Sequence, residues 1–311
     1  MIRWQRPMLS VLIATSPCVF SSVYRFGWRS VMVLATVTVA AFFCEWLFVH
    51  ARKEPVTSAV FVSAILLGLS LPPTVPVWIA MVAGTVGIVF GKEVFGGFGR
   101  NVFNPALVGR CFVYVCFPVA MTGRWARHAV SGWGGFACWS TETFDAVTAA
   151  TPLGARAAGI MTSHMDLFMG HRAGCLGETA GWAIVIGGVY LLIRRTADYR
   201  LMLAPVLGLA FVSCAFWVFG GQGAPDPLWD LLAGGFLFAA VFMTTEPISA
   251  ARTVPGKWIY GLLVGALTVL MRRLGVFPEG VMFAVLLGNL FNPSIDSAVK
   301  AFQQRKTMET E

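Results

Sequence analysis

Charge is scarce in this chain. Asp, Glu, Lys and Arg make up 12% of its 311 residues against 57% hydrophobic ones, whereas an ordinary soluble domain carries about a quarter charged residues. A separate water-soluble catalytic domain is therefore not expected, and one bilayer-embedded body is. Paired cysteines are missing too. The seven cysteines are an odd number without a C-x-x-C pair, so neither a zinc site nor a disulfide framework follows. Thiols spread through apolar segments act as small hydrophobes. His50, His128, His164 and His171 have no metal-ligand spacing. No Gly-Lys-Ser/Thr completes a Walker loop, and no strand-borne dinucleotide fingerprint is present. No small-residue cleavage site follows the first apolar run, which is expected to stay in the protein. A net charge of +8 would point to nucleic acid in a soluble protein. Here Lys and Arg gather at the ends of apolar segments, so they are read as facing lipid headgroups, with no nucleic-acid partner.

What is present is apolar sequence in blocks of span length, about 20 residues each. Ten candidate spans lie near 8–22, 30–49, 57–72, 77–91, 104–121, 179–193, 201–219, 229–245, 257–271 and 280–294, several of them short or broken by Gly and Pro. If all ten cross, fourteen Lys and Arg fall on one side and eight on the other. The richer side is then cytoplasmic. Both termini face it, and residues 122–178 form an extracytoplasmic loop. Two short matches recur in the same order: Thr74-Val75-Pro76 with Thr253-Val254-Pro255, and Asn101-Val102-Phe103-Asn104-Pro105 with Asn289-Leu290-Phe291-Asn292-Pro293. They argue for duplication. The expected fold is all-α and polytopic, with one membrane domain built from a first five-helix repeat (1–121) and a second (179–296). A cytoplasmic tail (297–311) follows, and an odd number of spans per repeat makes the two halves inverted.

The long loop holds Asp145-Ala146-Val147-Thr148-Ala149-Ala150-Thr151, followed by Pro152. The string reads as an address for a covalently attached flavin. A transferase esterifies the FMN phosphate to a threonine hydroxyl, here Thr151, reading an acid six residues before it (Asp145) and a hydroxyl three before (Thr148). The same residue types also make surface turns, so the string alone leaves both readings open. Two glycine-dense stretches follow the same logic of close backbone approach. The first is Gly91–Asn101; the second ends in Gly177-Glu178-Thr179, where backbone N–H groups could hold a flavin or cap a helix. Acids at membrane depth are functional candidates, which selects Glu93 and Glu246 for an ion pathway. Thr244-Thr245-Glu246-Pro247 ends an apolar run at a proline break. Glu45 and Asp296 are read as interfacial carboxylates that reach water.

With these residues in view, the chain resembles the family that contains RnfD of the Rnf ion-translocating oxidoreductase and NqrB of the sodium-translocating NADH:quinone reductase. The resemblance rests on Phe26-Gly27, Leu71-Pro72-Pro73-Thr74, Gly91-Lys92-Glu93-Val94-Phe95-Gly96-Gly97, Asn104-Pro105-Ala106, the flavin motif, Gly177-Glu178-Thr179, Gly256-Lys257-Trp258 and Pro278-Glu279-Gly280. It implies FMN on Thr151, electron passage through that flavin, and Na+ or H+ movement across the bacterial inner membrane. It also implies a urea-channel-like architecture, partner subunits that include a second flavoprotein and iron–sulfur proteins, and a flavin transferase for maturation. A second, non-covalent flavin belongs to the family's repertoire. Thr148-Ala149-Ala150-Thr151-Pro152-Leu153, Gly174-Cys175 and the start of the chain at its first span favour RnfD. Lys92-Glu93-Val94-Phe95 favours NqrB. A passive channel or carrier remains the competing class.

Overall fold

The structure is a computed structural model that describes residues 2–129, 132–141, 143–145, 151–157, 159–219, 224–275 and 279–308. It is mostly helical, since a backbone withdrawn from water has to satisfy its own N–H and C=O groups. In chain order the helices are α1 (Arg6–Phe26), α2 (Arg29–Arg52), α3 (Ala59–Leu69), α4 (Val77–Ile88), α5 (Pro105–Cys116), α6 (Pro118–Thr122), α7 (Pro152–Ala157), α8 (His164–Met169), α9 (Gly181–Ile193), α10 (Tyr199–Phe219), α11 (Pro227–Leu232), α12 (Phe236–Phe238), α13 (Val254–Leu274) and α14 (Val281–Met308). Among the described residues, α1, α2, α10 and α13 are long and apolar enough to cross a membrane, and α3, α5 and α9 are shorter apolar helices.

The remaining expected spans are interrupted. The 77–91 block is α4 running into a π-helical turn, Val89–Glu93. The 104–121 block breaks at Phe117, where Pro118 removes a donor and starts α6. The 229–245 block is α11, a kink at Ala233–Gly235, α12, and a second π-helical turn, Ala239–Met243. Such turns carry one extra residue and concentrate at functional sites. Residues 297–308, expected as a tail, continue α14. Four short strands also form: β1 (Ile2–Arg3) pairs in parallel with β2 (Val56–Thr57), and β3 (Arg124–Ala126) pairs antiparallel with β4 (Thr143–Asp145).

The packing of the first helices is matched by that of the last. Helix α2 packs on α4 and α4 on α5, as α10 packs on α13 and α13 on α14; α1 meets α9, and α5 meets α14. Small residues let these backbones approach. A Cβ on Gly261 would sit 2.5 Å from Ala204 Cβ and 2.7 Å from Pro205 Cδ. Gly261→Leu is therefore expected to separate α10 from α13 and cost about 1–3 kcal/mol, read as a lowered midpoint of thermal unfolding in detergent; an unchanged midpoint would contradict this packing.

The bundle has two distinct ends. At one, the start of the 122–180 stretch and its close dock on helix termini: Thr74 Oγ1 donates to Arg124 O (2.8 Å), Arg25 Nη1 to Gly170 O (2.7 Å), and the Leu176 and Gly177 N–H groups to Leu71 O (3.0 Å) and Leu69 O (2.7 Å). At the other, the paired β1 and β2 lie with the last turn of α2, where Arg52 pairs with Glu93.

Candidate functional site

Thr151 stands at the head of α7. Its Oγ1 accepts from Gly154 N at 3.3 Å and its carbonyl from Ala155 N at 2.7 Å, while Pro152 takes the first helical position without wasting a donor. The residue is half-buried. Asp145 pairs through its backbone with Arg124 across β3 and β4; Thr148 lies outside the described residues. Helix α7 is anchored by Leu153, buried with Leu167, Trp229 and Ala233. A Cβ on Gly234 would meet Leu153 Cδ1 at 2.7 Å and Arg272 Nη2 at 3.4 Å, so α7 rests on the kink between α11 and α12.

That kink leaves carbonyls without helical partners, and two buried arginines supply them. Arg272 donates to Asp230 O (2.5 Å) and Ala233 O (2.9 Å), and Arg172 to Leu232 O (2.6 Å) and Gly234 O (3.4 Å). The Asp230 carboxylate accepts from Arg273 Nη2 and Ser213 Oγ, both at 2.5 Å. Arg172 also donates to Glu178 O at 2.6 Å, joining the kink to the second glycine stretch. There Arg110 bridges the halves of the chain: Nη1 lies 2.5 Å from Glu178 Oε1 and Nη2 2.5 Å from Glu279 Oε2. One oxygen each from Glu178 and Glu279 and the Cys175 sulfur lie within 4.8 Å of one another, but the Arg110 guanidinium already supplies the cation among them. Burial lowers the pKa of Arg156, on α7, and repulsion from Arg273 adds to that, with Asp230 opposing.

These contacts place the second glycine stretch and overturn one expectation, the helix cap at Thr179. Glu178 is held by Arg110. Thr179 does not cap a helix: Ala180 precedes α9 without a side-chain cap, and the buried Thr179 Oγ1 has no partner among the described residues. Gly177 serves a close crossing, its N–H bonded to Leu69 O. Nor do the basic residues all face headgroups, because Arg25, Lys92, Arg172 and Arg272 are buried.

The opposite end gathers the ion-pathway candidates. Lys92 Nζ sits 2.5 Å from Glu45 Oε2 and 3.0 Å from Thr57 Oγ1; Glu93 pairs with Arg52 instead. Glu45 does not reach water as its place in the sequence suggests; it is fully buried. Asp296 is also buried; its carboxylate accepts from Arg252 N (2.9 Å), Thr253 N (3.0 Å) and Thr253 Oγ1 (2.5 Å), fixing the start of α13. Glu246 accepts from Ser249 Oγ at 2.7 Å and Asn101 Nδ2 at 3.3 Å. It forms no ion pair among the described residues, unlike its two neighbours. A cavity of about 60 Å³ lies between the halves, lined by Lys92, Asn101, Asn104, Thr245, Glu246 and Pro247 among others. The bend at Glu246 is held by an asparagine from each of the two Asn-x-Phe-Asn-Pro strings: Asn104 donates to Met243 O (3.4 Å) and Asn292 to Ser249 O (2.9 Å).

Glu246 is thus visible in the sequence, and most of its surroundings are not. Arg110, a base inside the apolar block 104–121, carries a signal of the same kind as a buried acid, one that a reading confined to carboxylates passes over. Lys92 and Glu45 stand 47 positions apart, and no local signal joins them.

The sequence matches the NQR2, RnfD, RnfE family over residues 2–304. Similar proteins include NqrB of the Na(+)-translocating NADH-quinone reductase of Azotobacter vinelandii, 39% identical over 272 residues, which cover 86% of this chain and 66% of that protein. The corresponding protein of Chromohalobacter salexigens is 41% identical, covering 85% and 63%, and that of Klebsiella pneumoniae (strain 342) is 37% identical, covering 88% and 69%. This chain thus spans about two thirds of the length of those relatives. A match over nearly every residue, with mostly helical packing interrupted where glycine and proline punctuate the apolar blocks, makes this chain a member of the NQR2, RnfD, RnfE family.

Proposed function

We propose that this chain is the flavin-carrying integral membrane subunit of a redox-driven ion-translocating oxidoreductase, equivalent to NqrB of the sodium-translocating NADH:quinone reductase. The observation that carries the reading is Thr151, whose hydroxyl heads a short helix at the end of a flavin-attachment string. The names of its relatives favour NqrB over RnfD, the branch that the residues around Thr151 favour. FMN is attached through its phosphate to Thr151, with Asp145 and Thr148 read by the transferase. The residues present fit that group, since the hydroxyl is at a loop boundary, α7 carries Arg156, and Arg273, which acts electrostatically on Arg156, has two buried donors without a partner among the described residues. Bound FMN supplies one- or two-electron transfer; the chain supplies attachment, position and neighbouring charge.

The architecture we propose is two inverted five-helix halves, 1–121 and 179–296, in the bacterial inner membrane with both termini cytoplasmic. The matched packing of α2 on α4 and α10 on α13 supports it, as do the paired Asn motifs around Glu246. Thr151 then lies toward the exterior and Glu246 toward the cytoplasm. Helix α12 and its π-helical turn run eight residues, about 12 Å of helix, from the kink under α7 to Met243, three residues before Glu246. Charge gained near the kink biases that segment, and Glu246 at its far end takes up or releases the cation. Glu93, held by Arg52, positions the π-helical turn that faces it. Electron entry, NADH binding and iron–sulfur centres belong to partner subunits. A passive carrier would share the architecture but leaves the Thr151 string without a role.

The test is Glu246→Gln in the assembled complex. The covalent flavin and its reduction by the electron donor are expected to persist, while ion transport falls by roughly tenfold or more, the scale of one lost charge-assisted contact. Undiminished transport would remove Glu246 from the pathway.

A further inference from the structure

We infer that Arg273 and Arg156 form an anion clamp that holds the phosphate of the threonine-linked flavin against the kink between α11 and α12. The inference rests on the reading of Thr151 as the attachment point. Its basis is an excess of positive charge beneath one short helix. Among the described residues, Arg110, Arg156, Arg172, Arg272 and Arg273 share this region with three carboxylates, Glu178, Asp230 and Glu279. Two positive charges are left over.

The arginines are not equivalent. Both terminal nitrogens of Arg110 are taken by carboxylates, and those of Arg172 and Arg272 by main-chain carbonyls. Arg273 differs. Its side chain is 6% exposed, Nη2 meets Asp230, and both Nε and Nη1 are buried with no hydrogen-bond partner among the described residues. Buried guanidinium donors left unmade carry a full desolvation penalty. A planar fork of donors matches the geometry of a phosphate.

The position is also right. Leu153, two residues after Thr151, and Arg272, the chain neighbour of Arg273, both lie against Gly234 in the kink. Arg156 lies five residues after Thr151, about 7.5 Å along α7, close enough to Arg273 for the two charges to repel. A phosphate between them relieves that repulsion. Esterification to Thr151 converts a hydroxyl into a phosphodiester bearing one negative charge, and the clamp pins the otherwise flexible linkage. Fixed positive charge beside the flavin favours its reduction, which adds negative charge.

The test uses the full chain co-expressed with an active flavin transferase and purified in detergent, with in-gel fluorescence to show flavin on each variant. The readouts are the midpoint potential of the bound flavin and its fluorescence anisotropy. Arg273→Gln is expected to lower the potential by about tenfold in the ratio of oxidised to reduced flavin at fixed potential, about 59 mV for a one-electron step. The anisotropy falls with it, and Arg273→Lys restores the potential but not the full anisotropy. Arg156→Gln, which leaves Asp230 and its partners intact, shifts both readouts in the same direction. Flavin present in every variant with potential and anisotropy unchanged overturns the clamp and leaves the attachment standing. No flavin on the natural chain, with the transferase active on a known target, overturns both.

Discussion

Arg110→Met is expected to destabilise the folded protein by about 3–5 kcal/mol, the cost of stranding buried charge. The guanidinium is 2% exposed and holds Glu178 and Glu279 from two different segments. Without it, two carboxylates face one another in a region of low dielectric, and each has lost its principal donor. The ion pairs themselves need not be a net gain, because removing three charges from water is costly. That distinction gives the prediction its second half. Arg110→Met combined with Glu178→Gln and Glu279→Gln is expected to recover most of the lost stability. Thermal unfolding in detergent, followed by size-exclusion recovery, reads both. A single variant within about 1 kcal/mol of the natural chain would mean that the carboxylates find other donors, and the bridging role of Arg110 would be wrong.

Thr151→Ala is expected to abolish covalent flavin entirely while leaving the fold in place. The structural contribution of this side chain is a single 3.3 Å cap to Gly154 N on a six-residue helix, worth about 1 kcal/mol. Leu153, which anchors α7, is untouched. The functional loss is absolute because no ester forms without the hydroxyl. Denaturing electrophoresis with in-gel fluorescence separates the two effects: protein at natural abundance without a fluorescent band. A band that survives the substitution would move the attachment elsewhere in the chain.

Much of this is legible in the sequence. Low charge and long apolar blocks announce a membrane body, and Pro118 and the glycines at 234 and 235 mark where blocks break. Glu246 is visible because a carboxylate before a proline at the end of an apolar run has few structural reasons to be there. Other features have no local signature. A π-helical turn differs from an α-helical one by a single residue per turn, and nothing in Val89–Glu93 or Ala239–Met243 marks it. Burial of a charge depends on its partner: Glu45 needs Lys92, and Asp296 needs the N–H groups that open α13. Arg272 sits at the end of an apolar run, where facing a headgroup is the ordinary expectation, and it turns inward because a kink 39 to 42 positions away has carbonyls to satisfy. The choice between branches of the family is divided in the sequence itself, between the residues around Thr151 and those around Lys92.

The measurement that bears most directly on the account is peptide mass spectrometry of the natural chain, purified from cells that express the flavin transferase. The account predicts a peptide spanning Thr151 that is heavier by FMN less one water, with fragment ions placing the addition on that residue. The same peptide found only unmodified, while a known target in the same cells is flavinylated, would contradict it and leave a carrier without a redox group as the better reading.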